Sequence, residues 1–508
     1  MRRPLGRRLS TKNNIMKTTF INTLTRFSHA LSRVLSSSLS VALSPSLRGR
    51  GQGRGLPSLR GRVGVGLLLI SLSSFAQSST DSYTVNKTDG TSEKFEIGDG
   101  MFNHIAFTAD KMTNYITSDG EDIAENETWN IANLSNVTFS VAGTPTQDST
   151  TETATVCCKN MGPGYNLGNT FESNSLKTSY FDPETASVTA FETLWGQPVT
   201  TQDLMTFLHK NGFGAVRLPV TWAQHMDADG NVNEAWMNRI QEVVDYIVNS
   251  GMYCILNTHH DNASGSVAWI KDDATNYTNN VAKFKKLWTQ IANRFKSYGH
   301  LLVFEGFNEM LDGNNSWTPP TDEATYTVHN EWAQAFVDAV RATGGKNKTR
   351  NLLINPYAAT NSEKALAHLT VPSDPIGNNE HIMVGVHTYD PYNFVINKTS
   401  WDSECQKYVT DMMARLKTYF VDKGTPILIG EYGTHGSDAN GNYVSVNKKS
   451  SDALKKMAAD QAAQITKEAK AIGAPAFYWM SIIDGSDRSV PQWSLPTVVT
   501  AIINAYNN

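Results

Sequence analysis

Two glutamates, Glu309 and Glu431, are placed to do chemistry, because each closes a short apolar run, LVFEGFNE and PILIGEYG, that reads as a buried strand. Two carboxyl groups on different strands facing one cleft are what hydrolysis of a glycosidic bond needs. One protonates the leaving oxygen, and the other attacks the anomeric carbon or activates water. The acid must keep its proton near neutral pH, whereas the nucleophile must stay ionised and needs cationic or hydrogen-bond-donating neighbours. Arg217 in GAVRLPV and Tyr389 in MVGVHTYD can supply those donors to Glu431. His387 and Tyr389 are two apart, so on a strand both face the same way and can enter the cleft together. His259 and His260 are adjacent and should diverge, and no HExxH pattern occurs, so a two-histidine metal clamp is not expected. No metal or other cofactor is called for. Asn169, Asn308 and Trp479 complete the polar and aromatic residues at the ends of successive apolar runs. Taken singly, each has a plainer reading as salt-bridge partner, hydrogen-bonded core residue or core tryptophan; their joint occurrence is what points to a site.

Something must bring those ends together. The runs GYNLGNT, GAVRLPV, YCILNTHHD, LVFEGFNE, NLLINPYA, MVGVHTYD, PILIGEYG and AFYWMSII alternate with amphipathic segments such as AWMNRIQEVVDYIVNSG and NVAKFKKLWTQIANRFKSYG, several stopping at Gly as helices do. Such alternation predicts an α/β fold, a (β/α)8 TIM barrel over 161–508. An open doubly wound sheet fits less well, since neither GxGxxG nor a P-loop follows a strand. In a barrel, side chains at the C-terminal strand ends build the active site, and these residues lie there.

Upstream, residues 80–145 carry short Thr-, Val- and Phe-rich runs such as SYTVNKT and NVTFSVAG, which predict a small β-rich unit of unknown role. The polar, Thr-rich stretch within 146–160 reads as a linker. Residues 1–76 read as a disordered leader, with PSLRGR at 45–50 and 57–62, followed by a signal peptide, VGVGLLLISLSSFA, with cleavage near Ala76. A secreted, periplasmic or cell-surface location is the expectation. That run is too short for a bilayer span, which needs roughly 20 apolar residues. A formal charge of -4 lacks the basic footprint of a nucleic-acid partner. The 4 cysteines show no CxxC pair, and adjacent Cys157 and Cys158 cannot easily bridge each other, so neither a structural zinc nor a disulfide framework is expected.

In GYNLGNTFE (164–172), GFGAVRLPVTW (212–222), LNTHHD (256–261), EGFNEM (305–310), VHTYDPY (386–392), IGEYG (429–433) and YWMSIIDG (478–485), the chain resembles glycoside hydrolase family 5, and most of all its subfamily 4 endo-β-1,4-glucanases. The resemblance spans about 162–506 and implies a retaining cellulase-like enzyme acting on β-glucan; the sequence leaves the oligomeric state open, with a monomer as the expectation. By the same resemblance Glu309 is the acid/base and Glu431 the nucleophile. Asn308 partners the sugar 2-hydroxyl, and Arg217 and Tyr389 hold Glu431. His259 and His387 are active-site histidines, Trp479 is a stacking platform, and His260 and Asn169 are further cleft residues. A hydrolase of another β-linked polysaccharide, such as mannan, would share this machinery. A non-catalytic glycan-binding barrel would normally have lost one glutamate, and both are present.

Overall fold

The computed structural model describes residues 151–390, 400–437 and 443–508, and ahead of them the segments 39–42, 68–71, 82–88, 91–96, 104–107, 111–118, 121–130 and 134–140. The chain divides into two compact units, Met1–Gly143 and Thr144–Asn508.

The first unit contains two four-stranded sheets. In one, Ser82–Lys87 pairs antiparallel with Ser92–Glu96 and with Leu134–Ser140, which also pairs with Leu39–Ala42. In the other, Lys111–Ser118 lies between His104–Phe107 and Glu121–Asn130, and Leu68–Ser71 pairs with His104–Phe107. Strands 39–42 and 68–71 come from the stretch expected as leader and signal. The cleavage position and the PSLRGR repeats lie outside the described residues.

The second unit is a closed barrel of parallel strands: β1 (Gly164–Asn166), β2 (Ala215–Leu218), β3 (Tyr253–Asn257), β4 (Leu302–Glu305), β5 (Leu352–Ile354), β6 (Ile382–Thr388), β7 (Ile427–Tyr432) and β8 (Ala476–Trp479). Strand β8 pairs with β1 to complete the closure. Because both faces of each strand are covered, the strands read as continuous apolar runs, and almost every strand residue is buried. The amphipathic segments form the outer helices, among them Glu234–Asn249, Ala274–Arg294, Glu323–Ala342, Ser403–Tyr419 and Asp452–Ala471. Their starts are set by side-chain caps: Asn233, Asp273, Asp322, Asp402 and Ser451 accept backbone N–H groups of the first turn. Between helices and strands, Trp222, Trp236, Trp288 and Trp332 are fully buried. Truncating one of them to alanine would cost roughly 3–5 kcal/mol.

The expected linker is not wholly a linker. Its last part, Ala154–Asn160, is a helix capped by Thr153, and Ala154 donates its backbone N–H to Glu380 O at 2.7 Å. The apolar spacing ATVCC explains it: Ala154, Cys157 and Cys158 pack with Met161 against Ala215, Ile255, Val303, Leu353, Met383, Leu428 and Phe477, a separate cluster contributed by the barrel strands. The thiols of Cys157 and Cys158 are buried there and free. Gly164 lets β1 approach Phe477, since a Cβ there would lie 2.2 Å from the ring.

At the other end the strand register is irregular. The pairing of β6 with β7 shifts between Val386 and His387, and that of β7 with β8 shifts between Ile429 and Tyr432. These two breaks in the regular pairing flank His387 and Glu431.

Candidate active site

Arg217 organises the site. It sits fully buried on β2, and all its N–H groups are used. Nε and Nη2 donate to the two oxygens of Glu305 at 2.6 and 3.0 Å, and Nη2 also donates to Asn308 Oδ1 at 2.7 Å. Nη1 donates to Glu431 Oε1 at 2.7 Å and to Asn166 Oδ1 at 3.1 Å. An arginine presents five donors in a rigid fork, so this satisfies it completely. The second oxygen of Glu431 accepts from Tyr389 Oη at 2.7 Å.

Burial alone would raise the Glu431 carboxyl, but His387, Arg217 and the Tyr389 hydroxyl outweigh it and hold Glu431 below the usual carboxylate range. Glu309 is pushed the other way. Burial raises it, and the hydrogen bond from His387 offsets only part of that rise. Its Oε1 lies 2.8 Å from His387 Nδ1, and its backbone N–H donates to Asn262 Oδ1 at 2.9 Å. Two carboxyl groups with opposed shifts supply one acid and one anion. An oxygen of Glu309, an oxygen of Glu431 and a ring nitrogen of His387 all lie within 4.8 Å of one another. Retaining glycosidases hold their two carboxyl groups roughly 5–5.5 Å apart and inverting ones about 6.5–9.5 Å apart, and so close an approach of single oxygens favours the retaining arrangement.

On β3, Asn257 accepts from Val220 N through Oδ1, so its Nδ2 faces His259 Nδ1 at 3.1 Å. The proton of the neutral imidazole then sits on Nε2, which lies 4.0 Å from Glu431 Oε1. Burial keeps His259 well below its ordinary pKa and pushes His260 down to about 4, so both rings are uncharged near neutrality. The two rings, expected to diverge, meet edge to face at 4.7 Å. They form part of a continuous aromatic wall. Trp479 stacks on His259 at 5.9 Å, and Trp195 packs on His260 at 5.5 Å. On either side of Trp195 in the chain, Glu192 pairs with Arg239, and Gln197 donates to Asp484 at 2.6 Å.

Asn169 lies outside the hydrogen-bonded carboxylate cluster. It adopts φ 57° after β1, with its backbone N–H on the Glu172 carboxylate. Sequence reasoning passed over Glu305, Asn166, Asn257, Asn262 and Asn355, although each of the first three is the last residue of its strand. A polar side chain ending an apolar strand was the available signal, and in GYNLGNT and LVFEGFNE attention went to the more distal residue.

Paired carboxyl groups with opposed pKa shifts at the strand ends of a (β/α)8 barrel are what a glycoside hydrolase needs. The family model described as Cellulase (glycosyl hydrolase family 5) matches residues 179–483. Endoglucanase A of Clostridium longisporum is 32% identical over 71% of this chain and 68% of the relative. A family 5 glycoside hydrolase from Prevotella bryantii B14, solved in complex with a xyloglucan tetradecasaccharide, is 52% identical over 71% of this chain and 100% of that one, with a TM-score of 0.67. A GH5-4 broad specificity endoglucanase from an uncultured bacterium is 39% identical over 71% and 98%, with a TM-score of 0.64. The chain belongs to glycosyl hydrolase family 5.

Proposed function

We infer that this chain is an endo-β-1,4-glucanase that cleaves internal bonds of cellulose-like, mixed-linkage or xyloglucan chains with retention of configuration. The observation that carries this is the Glu309–Glu431 pair, with oxygens within 4.8 Å and pKa values pushed in opposite directions. Relatives named endoglucanase and a 52% identical enzyme holding a xyloglucan oligosaccharide support glucan as the substrate class.

In the first step Glu431, oriented by Arg217 and Tyr389, attacks the anomeric carbon while Glu309 gives its proton to the departing glycosidic oxygen. The C1–O bond breaks as the ester to Glu431 forms. In the second step Glu309, now an anion, takes a proton from water as the water attacks C1 and releases Glu431. The uncharged wall Trp479–His259–His260–Trp195 offers a face for the apolar side of glucosyl rings.

Reducing-sugar release from carboxymethylcellulose, mixed-linkage glucan, xyloglucan and mannan tests the reading. Release from the glucans, with rapid chain shortening, is expected. Release from mannan alone would overturn the substrate class, and binding without release would overturn the enzyme. Export rests on the apolar run at 63–76, and N-terminal sequencing of exported protein should find Gln77 first. Light scattering should find a monomer.

A further inference from the structure

We propose that Glu305 is a positioning residue that sets both catalytic carboxylates at once, holding Arg217 in the one orientation that serves Glu431 and, through Asn355, the backbone that presents Glu309. Glu305 closes β4 fully buried, and each of its oxygens receives an N–H from Arg217, at 2.6 and 3.0 Å. A planar guanidinium gripped at Nε and Nη2 cannot rotate, so Nη1 is aimed at Glu431. Asn355 Nδ2 lies 2.8 Å from Glu305 Oε1 and from the carbonyls of Phe307 and Asn308, so its two N–H groups are shared among these three acceptors. Those carbonyls belong to the turn that carries the chain from β4 to Glu309. Arg217 closes the loop by donating to the Asn308 side chain at 2.7 Å.

The second effect is electrostatic. Glu431 faces Arg217 from β2, His259 and His260 from just beyond β3, Glu309 from the turn after β4, His387 from β6 and Tyr389 just beyond it, while Glu305 reaches it through Arg217. Within that set Arg217 is shared by two carboxylates, so Glu305 takes up part of its charge. His387, Arg217 and Tyr389 still hold Glu431 below the usual carboxylate range, and the share of charge that Glu305 takes leaves it more of its nucleophilic strength. Glu305 touches no reacting atom.

The inference rests on the retaining-glucanase reading, which wild-type activity tests separately. Steady-state kinetics on an aryl β-cellobioside across pH, for wild type, Glu305→Gln and Glu305→Asp, decide it. Gln removes the charge and puts an N–H against the guanidinium. It should lower kcat about 100-fold, as a misplacement near 1 Å does, with KM little changed. It should also move the acid limb of kcat/KM to lower pH, because an anion that opposes ionisation of Glu431 is gone. Asp keeps the charge but shortens the reach, so kcat should fall while the acid limb stays in place. An unshifted limb in Glu305→Gln, or a loss matching only its folded fraction, would overturn the proposal. If Glu305→Gln does not fold, Glu305→Asp decides alone: wild-type kcat, or a displaced limb, overturns it.

Discussion

One imidazole faces both catalytic carboxylates: His387 Nδ1 stands 2.8 Å from Glu309 Oε1 and 3.7 Å from Glu431 Oε2. Burial lowers its pKa, but the two carboxylates more than offset that, so it is raised above the ordinary histidine value. The pH profile should follow. Activity needs Glu431 ionised and Glu309 protonated, so Glu431 sets the acid limb and Glu309 the alkaline limb. In its protonated form the ring lowers the pKa of both carboxyls. Removing it in His387→Ala should therefore move both limbs of kcat/KM to higher pH and lower the maximum. Limbs that stay in place would contradict this role.

The roles of the glutamates separate by azide chemistry. In Glu431→Ala, azide can enter the vacated space and attack C1 from the nucleophile's side, giving an inverted glycosyl azide. In Glu309→Ala acting on an activated aryl glycoside, azide intercepts the covalent intermediate and gives the retained product. Both variants should be nearly inactive on polysaccharide. Retained azide product from Glu431→Ala would reverse the assignment.

The aromatic wall predicts a substrate-length effect. Trp195 is reached from Trp479 through His259 and His260, so it is expected to serve rings away from the reacting sugar. Trp195→Ala should raise KM for polysaccharide roughly tenfold, equivalent to about 1.4 kcal/mol, and leave short aryl glycosides much less affected. An equal loss on both substrates would mean that the indole supports His260 only.

At the opposite end of the barrel, Gly164→Ala should destabilise the fold by about 1–3 kcal/mol through overpacking, because the added methyl meets the Phe477 ring at 2.2 Å. Phe477→Leu in the same chain should recover part of that loss. Thermal melts of the single and double variants check it, and additive losses would argue against a direct clash.

Much of this was legible in the residues, and what was not has physical causes. The strands and outer helices announce themselves by apolar period and caps, which are local signals. Arg217, Tyr389 and Glu431 could be linked in advance because a nucleophile needs donors. Glu305 could not, since its partner lies 88 positions away on another strand and a glutamate ending a strand reads as an ordinary ion pair. Helix Ala154–Asn160 was hidden because its polar, Thr-rich approach dominates the local composition, while its role against Met383 and Phe477 is purely tertiary. The histidine pair was misjudged for the opposite reason. Adjacent residues diverge along a regular strand, but both lie beyond the end of β3, where that alternation no longer applies.

The most direct measurement is proton NMR of the anomeric region during the first minutes of cleavage of a cello- or xylogluco-oligosaccharide, before mutarotation. With Glu309 and Glu431 within 4.8 Å, attack by the carboxylate and then by water inverts C1 twice. The newly formed reducing end should therefore be the β-anomer, with the α signal growing only afterwards. An initial α-anomer would mean a single displacement by water, and would contradict both the nucleophilic role of Glu431 and the site described above.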